Sequence, residues 1–256
     1  MRQKLLIFTV LAVIFSSCST TAGVPTLVVS STAEVVSVES SPLPATTSEA
    51  ASVTVDDGAS IDPNALSTAV GSIPTNQLST SEAEALLYMR EEEKLARDVY
   101  QTLYNKWQLP IFQNIAKSEQ THTDAVKTLL DRYGLADPFS QEVGVFQNET
   151  LQNLYNQLVA QGSLSIADAL KVGGAIEEID ILDLEERLAQ TDKADIILVY
   201  ENLLKGSRNH LRSFVSTLQT QAGETYQPQY LTLDAYQAII NSAIETGAPD
   251  GKGPKR

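Results

Sequence analysis

Two fragments of this 256-residue chain carry side chains that could do chemistry together: Glu119-x-x-His122, and a second histidine, His210, at the end of a Gly-Ser-Arg-Asn-His run. They hold the only two histidines in the sequence. Residues three apart on a helix project from one face, so Glu119 and His122 can reach a single ion. Carboxylates and imidazoles that face a helical core are costly to bury unless something positive pairs with them. A cation held between facing helices satisfies them all at once. Carboxylate oxygen with imidazole nitrogen suits iron, manganese or zinc, whereas copper(I) and iron–sulfur clusters call for thiolates.

The elements that must position these groups are four long helical patterns. The first is expected to open at a Ser81/Glu84 capping box and to run to about Lys106. Its inward stripe is Leu86, Met89, Glu93, Ala96, Tyr100, Leu103 and Trp107. The second starts at Pro110, which suits a first helical turn, and ends at Tyr133-Gly134. Its stripe is Phe112, Ile115, Glu119, His122, Val126, Leu129 and Tyr133. A long connection over 135–162 follows, with a short helical pattern from Leu151 to Ala160. The third helix is expected from Ser165 to Gln190, with Glu177, Ile181, Leu184 and Leu188 inward and Glu178 and Asp180 beside them. Gly173-Gly174 costs helix stability, roughly 1 kcal/mol per glycine, which is tolerable where another helix approaches closely. The fourth runs from Asp192 and Asp195 to Gly223, with Ile196, Tyr200, Leu203, Ser207, His210 and Phe214 inward. A small helical pattern, Leu233 to Ile244, completes an all-α domain expected over 80–247.

Two helices, one long crossover and two more helices is the connectivity of a ferritin-like up-down four-helix bundle. Di-iron bundles of that kind take a Glu from each of two helices and a Glu-x-x-His from each of the other two. Glu93, Glu119, His122, Glu177 and His210 fill five of those positions, and Ser207 stands where the last Glu would be. Three carboxylates leave a second ion short of ligands, so it would lean on water or on Glu92, Glu178 or Asp180, or the site holds one metal. A different reading needs no metal: Arg90, Lys94, Arg97 or Arg208 neutralises the buried acids. Tyr100 and Tyr200 lie near the ligands, as redox partners or simply as core.

Outside this domain the chain reads differently. Arg2 and Lys4, the apolar run Leu5–Phe15, Ser16, Ser17 and then Cys18 form an export signal over 1–18, too short for a membrane span. Its end resembles the lipobox of bacterial lipoproteins, in which the cysteine is lipidated; an ordinary signal peptide is the other reading. Cys18 is the only cysteine, which excludes an intramolecular disulfide. Residues 19–79, rich in Ser, Thr, Val, Ala and Pro, are expected to form a disordered stalk, with a short β-structured segment as the alternative. Residues 248–256 are expected to be a disordered tail. The formal charge of −14 argues against nucleic acid.

Four stretches carry a family resemblance: Glu-Glu-Glu-Lys-Leu-Ala-Arg-Asp-Val-Tyr (91–100), Asn-Ile-Ala-Lys-Ser-Glu-Gln-Thr-His (114–122), Ala-Ile-Glu-Glu-Ile-Asp-Ile-Leu-Asp-Leu (175–184) and Gly-Ser-Arg-Asn-His-Leu-Arg-Ser-Phe (206–214). Over about 80–232 the chain resembles the DUF2202 family, a ferritin-like group of bacteria and archaea. The first two stretches are also similar to rubrerythrin, which favours Glu93 over Glu91 or Glu92 as the first-helix ligand. The resemblance implies a fold and a metal centre, without a settled reaction. Rubrerythrin-type peroxidase chemistry commonly draws electrons through a module with paired Cys-x-x-Cys, which this chain lacks.

Three expectations follow. One is an exported, lipid-anchored di-iron oxidoreductase of the bacterial cell envelope, acting on oxygen, peroxide or ferrous iron with a separate electron donor. In that reading Glu119 bridges, Glu93 and Glu177 bridge or end the ligand set, and His122 and His210 are terminal. The second is a lipoprotein that binds one or two metal ions without turnover. The third is a structural helical bundle with a degenerate site. The expected partners are metal ions, the membrane through the N-terminal lipid, and a second copy in a homodimer.

Overall fold

The computed structural model describes residues 62–245, and every regular element among them is helical. In chain order these are α1 (Pro63–Ser72), α2 (Thr80–Trp107), α3 (Pro110–Tyr133), α4 (Glu149–Gly162), α5 (Ile166–Leu188), α6 (Ala194–Ala222) and α7 (Leu233–Ile240). The expectations for the signal, Cys18 and the first part of the stalk lie outside the described residues, as does the tail. Among the described residues no helix is long and apolar enough to cross a membrane.

The four long helices are those marked by sequence periodicity, and each end has a local cause. Pro110 occupies the first turn of α3, and Gly134 closes it at φ 65°. Ser165 caps α5 through the Asp168 N–H, and Gly223 closes α6 at φ 68°. The α2 cap lies one position pair earlier than expected. Ser79, rather than Ser81, accepts from the Glu82 N–H, while Glu82 accepts from the Ser79 N–H. Both pairs fit the motif. Glu82 wins because it also accepts from Thr191 Oγ1 at 2.7 Å and faces Lys193, joining the start of α2 to the α5–α6 connection.

The helix α1 is a correction to the stalk reading over 19–79. Leu66 and Val70, one turn apart, are buried in the core, and α1 packs on α3 and α6. Its end is held by Arg132 of α3, which donates to the Ile73 carbonyl and to Asp195.

Helix α2 packs along α3 and α5 along α6, while α2–α5 and α3–α6 contacts close the four into a helical bundle. Gly173 makes one of these approaches possible: a Cβ there would stand 2.4 Å from the Phe214 ring of α6. Phe214 in turn packs on Tyr100 and Phe112, forming an aromatic cluster of α2, α3 and α6.

The crossover is stapled to α2. The fully buried Lys94 ammonium donates to Asp98 and to the carbonyls of Glu142 and Val145, over the face of Phe146. Asp98 accepts from the Gly144 N–H, and Glu91 from the N–H groups of Gln147 and Asn148. Helix α4 then packs on α2 and α5.

Candidate metal centre

Each long helix of the bundle contributes at least one polar side chain to its middle. Glu93 comes from α2, Glu119 and His122 from α3, Glu177 from α5 and His210 from α6, and all five are 0% exposed. The structure brings all five together. They form two trios, Glu93–Glu119–His122 and Glu119–Glu177–His210, whose ligand-type atoms within each trio lie within 4.8 Å of one another. Glu119 belongs to both.

The division at Glu119 is atomic. Its Oε2 lies 2.8 Å from His122 Nδ1, and its Oε1 lies 2.8 Å from His210 Nδ1. His122 Nδ1 also lies 3.2 Å from Glu93 Oε2, and His210 Nδ1 lies 3.5 Å from Glu177 Oε2. Thus one carboxylate offers one oxygen to each half of a nearly symmetric arrangement, with the two imidazole rings stacked 5.5 Å apart.

These short distances are ion-pair contacts but not all are hydrogen bonds. Both Glu119 oxygens and His210 Nδ1 lack a hydrogen-bond partner despite the 2.8 Å approaches, as do Glu93 Oε1 and Glu177 Oε2. The groups are close, but their donors and acceptors are not aligned for hydrogen bonding. Such atoms crowd about shared points instead of aiming at one another. Buried polar atoms of native proteins are normally bonded, so this concentration of orphans is itself a signal.

The cations that could have neutralised this seam are engaged elsewhere. Arg90 holds Asp137 and the Thr123 carbonyl, Lys94 holds Asp98, Arg97 holds Asp98 and Gln120, and Arg208 holds Glu245. Among the described residues, the only cationic groups within ion-pair distance of the trio carboxylates are the imidazoles. Burial would discharge them, but Glu119 with Glu93 raises His122 well above its ordinary value, and Glu119 with Glu177 raises His210 to about 10. Burial raises Glu119 too, yet the two imidazoles outweigh it and hold that carboxyl well below its usual range. Burial pushes Glu93 up to about 7 and raises Glu177, in each case with repulsion from Glu119 adding to it. A carboxylate buried without a cation costs several kcal/mol.

The surroundings fix the ligands. Tyr100 Oη donates to Glu177 Oε1 at 2.5 Å, which makes this tyrosine a positioning group as well as core. His210 Nε2 lies 3.0 Å from Ser118 Oγ. Second partners of this kind set ring orientation in metal sites. The His122 ring lies against Gly206, where a Cβ would meet Cε1 and Nε2 at 2.5 Å.

Among the acids flanking the expected ligands, the structure separates roles that spacing alone leaves open. Glu91 caps the crossover and Glu178 is spent on the chain's C-terminal part, as Tyr226 Oη and the N–H groups of Gln229, Tyr230 and Leu231 all donate to it. Glu92 and Asp180 are buried beside the seam with unpartnered oxygens. Ser207 fills no ligand role, since its hydroxyl donates to the Leu203 carbonyl of its own helix. Tyr200 is buried with an unpartnered Oη. Ser118 and Gly206 lie outside the set that sequence spacing marks. Ser118 lies one turn before His122, and a glycine inside a long helix marks a close approach, so both carried a faint signal.

The family described as "Uncharacterized protein domain (DUF2202)" matches residues 82–243. The chain is 54% identical over 179 residues to the uncharacterized protein MJ0754 of Methanocaldococcus jannaschii, an alignment covering 70% of this chain and 96% of that one. The crystal structure of hypothetical protein MJ0754 from Methanococcus jannaschii is similar with a TM-score of 0.66 at 55% identity, covering 68% of this chain and 99% of the other.

Proposed function

This chain belongs to the DUF2202 family, and from the seam it builds we propose that it is a ferritin-like, rubrerythrin-related metalloprotein with a carboxylate/histidine site for two iron-type cations. One observation carries the reading: the two oxygens of Glu119 each approach a different histidine, at the centre of two buried trios that no lysine or arginine neutralises. The orphaned buried oxygens and the nitrogen/oxygen donor set fit a transition metal. Glu93 and His122 would hold one ion, Glu177 and His210 the other, and Glu119 both. Iron there supplies one-electron redox chemistry toward oxygen, peroxide or ferrous iron; manganese and zinc fit the same donors. The chain's own groups bind and orient: Tyr100 fixes Glu177, Ser118 fixes His210, and the aromatic cluster keeps water from that end of the seam. As part of the same proposal the domain is exported and tethered to the cell envelope through a lipid on Cys18, with a separate electron donor.

The test is anaerobic loading of metal-stripped protein with Fe(II), followed by an oxygen pulse watched by absorbance, with elemental analysis beside it. Bound iron, lost in His122→Ala, together with an oxygen-dependent spectral change supports the reading. A chain that takes up no iron, manganese or zinc, and whose melting temperature these ions leave unchanged, is a structural bundle instead. Ser207, which supplies no sixth ligand from α6, favours a second reading in which metal is bound without turnover. Iron uptake with no response to oxygen or peroxide selects it.

A further inference from the structure

The two helix pairs of the bundle, α2 with α3 and α5 with α6, present their ligands in the same register. Lys117-Ser-Glu-Gln-Thr-His122 of α3 has its counterpart in Lys205-Gly-Ser-Arg-Asn-His210 of α6, each run opening on lysine and ending on a histidine of the site. Glu93 of α2 answers in the same way to Glu177 of α5. The terminal ligands of the two trios therefore match, and Glu119 is shared between them. The groups standing behind those ligands do not match.

Behind His210 stands Ser118, whose Oγ lies 3.0 Å from Nε2. Both rings turn Nδ1 toward the carboxylates, so a cation taken up there leaves the proton on Nε2, and that N–H calls for an acceptor. Ser118 is the acceptor for His210. On α6 the position of Ser118, one turn before the histidine, belongs to Gly206. Gly206 lies against the His122 ring, where a Cβ would stand 2.5 Å from Nε2, and it has no hydroxyl to offer. His122 Nε2 is left buried with no hydrogen-bond partner. The carboxylates repeat the difference. Tyr100, two turns after Glu93 on α2, donates across the bundle to Glu177 Oε1 at 2.5 Å. Two turns after Glu177 on α5 stands Leu184, buried and without a donor, and Glu93 Oε1 has no hydrogen-bond partner. One half thus has an outer partner for both of its terminal ligands, and the other half for neither.

We propose that the two halves hold their cations unequally: the Glu177/His210 half, steadied by Tyr100 and Ser118, binds first and tightly, and the Glu93/His122 half carries the exchangeable ion. The inference rests on the two-cation reading above. Outer hydrogen bonds fix the orientation of a metal ligand, and losing one costs about tenfold or more in affinity. The Glu93/His122 half lacks two of them. Gly206 and Leu184 create the difference by what they leave out, each standing where the other helix pair has a hydroxyl.

The test is a titration of the metal-stripped full chain with Zn(II) and, anaerobically, with Fe(II), followed by calorimetry with elemental analysis of the loaded protein. Wild type is expected to take up about two ions in separate steps, the later one about tenfold or more weaker, and a chelator is expected to remove that ion ahead of the other. Ser118→Ala and Tyr100→Phe, each made singly, are expected to weaken the tighter step about tenfold and leave the weaker one where it is, so that the steps draw together. A loss of structure alone would move both. Steps of equal affinity in wild type, or variants that spare the tighter step or weaken both alike, overturn the inequivalence and leave the metal centre standing. Uptake of fewer than two ions by wild type overturns the two-cation reading itself. Ser118 acts on the imidazole and Tyr100 on the carboxylate, so if one variant does not fold the other decides.

Discussion

Gly206 of α6 lies flat against the imidazole of His122 on α3, so close that a single methyl group at residue 206 would overlap the ring at 2.5 Å. The contact joins the helix that carries His210 to the ring of the other histidine. In Gly206→Ala the ring has to move, and with it Nδ1, the atom shared between Glu93 and Glu119. Alanine gains about 0.5–1 kcal/mol of helix stability over glycine, so the helix itself tolerates the change. Zinc affinity is expected to fall by about tenfold or more with helical circular dichroism retained. Wild-type affinity in this variant would show that the ring is not held by that contact.

Tyr100→Phe removes the donor to Glu177 Oε1 and leaves the packing of Tyr100 on Phe112 and Phe214. A buried carboxylate loses a bond that water does not replace, at about 1–3 kcal/mol. Urea unfolding of the metal-free protein should show that loss as a lower midpoint with an unchanged slope. A stability indistinguishable from wild type would mean that Glu177 finds another partner.

Glu178→Ala is expected to act far from metal. Four donors from residues 226–231 converge on this one side chain. Without it the N–H groups of Gln229, Tyr230 and Leu231 and the Tyr226 hydroxyl have no acceptor, costing about 3 kcal/mol or more. Hydrogen exchange should speed up over 226–240 while the metal stoichiometry stays that of wild type. Loss of metal with unchanged exchange would make Glu178 part of the seam instead.

Asp137 gives the pH dependence a defined sign. Burial raises its carboxyl, but the paired hydrogen bonds from Arg90, at 3.0 Å each, outweigh it and hold the group below its ordinary value of 3.8. A folded-state value below the unfolded one contributes stability above 3.8 that is lost as pH falls through the folded value. The stability difference between wild type and Asp137→Asn should therefore be constant from neutrality down to about pH 5 and shrink below about pH 4. A difference that persists unchanged into strong acid would assign it to packing.

Much of the bundle was legible because periodicity is a property of a helix alone. The stripes through Glu93, Glu119, His122, Glu177 and His210 all turned inward, and caps such as Ser165 and Gly134 marked the ends. What escaped depended on partners distant in sequence. Helix α1 rests on two buried residues, Leu66 and Val70, amid Ser, Thr and Pro, and its burial comes from α3 and α6. The choice of Ser79 over Ser81 as cap was made by Thr191 and Lys193. Glu178 and Asp180 flank Glu177 on opposite sides of α5, and the arrival of residues 226–231 assigns the first to the backbone while the second stays beside the seam with an unpartnered oxygen.

The buried ammonium of Lys94 gives the long connection between α3 and α4 a mechanical character that its lack of regular structure conceals. Holding two loop carbonyls and the carboxylate that grips the Gly144 N–H, it makes the passage around residues 142–145 a strap rather than a flap. Cutting or stretching that strap means first prising a charge out of a dry niche, so the passage and α2 open as one unit. A protease would find there no loose handle, only the edge of a folded body.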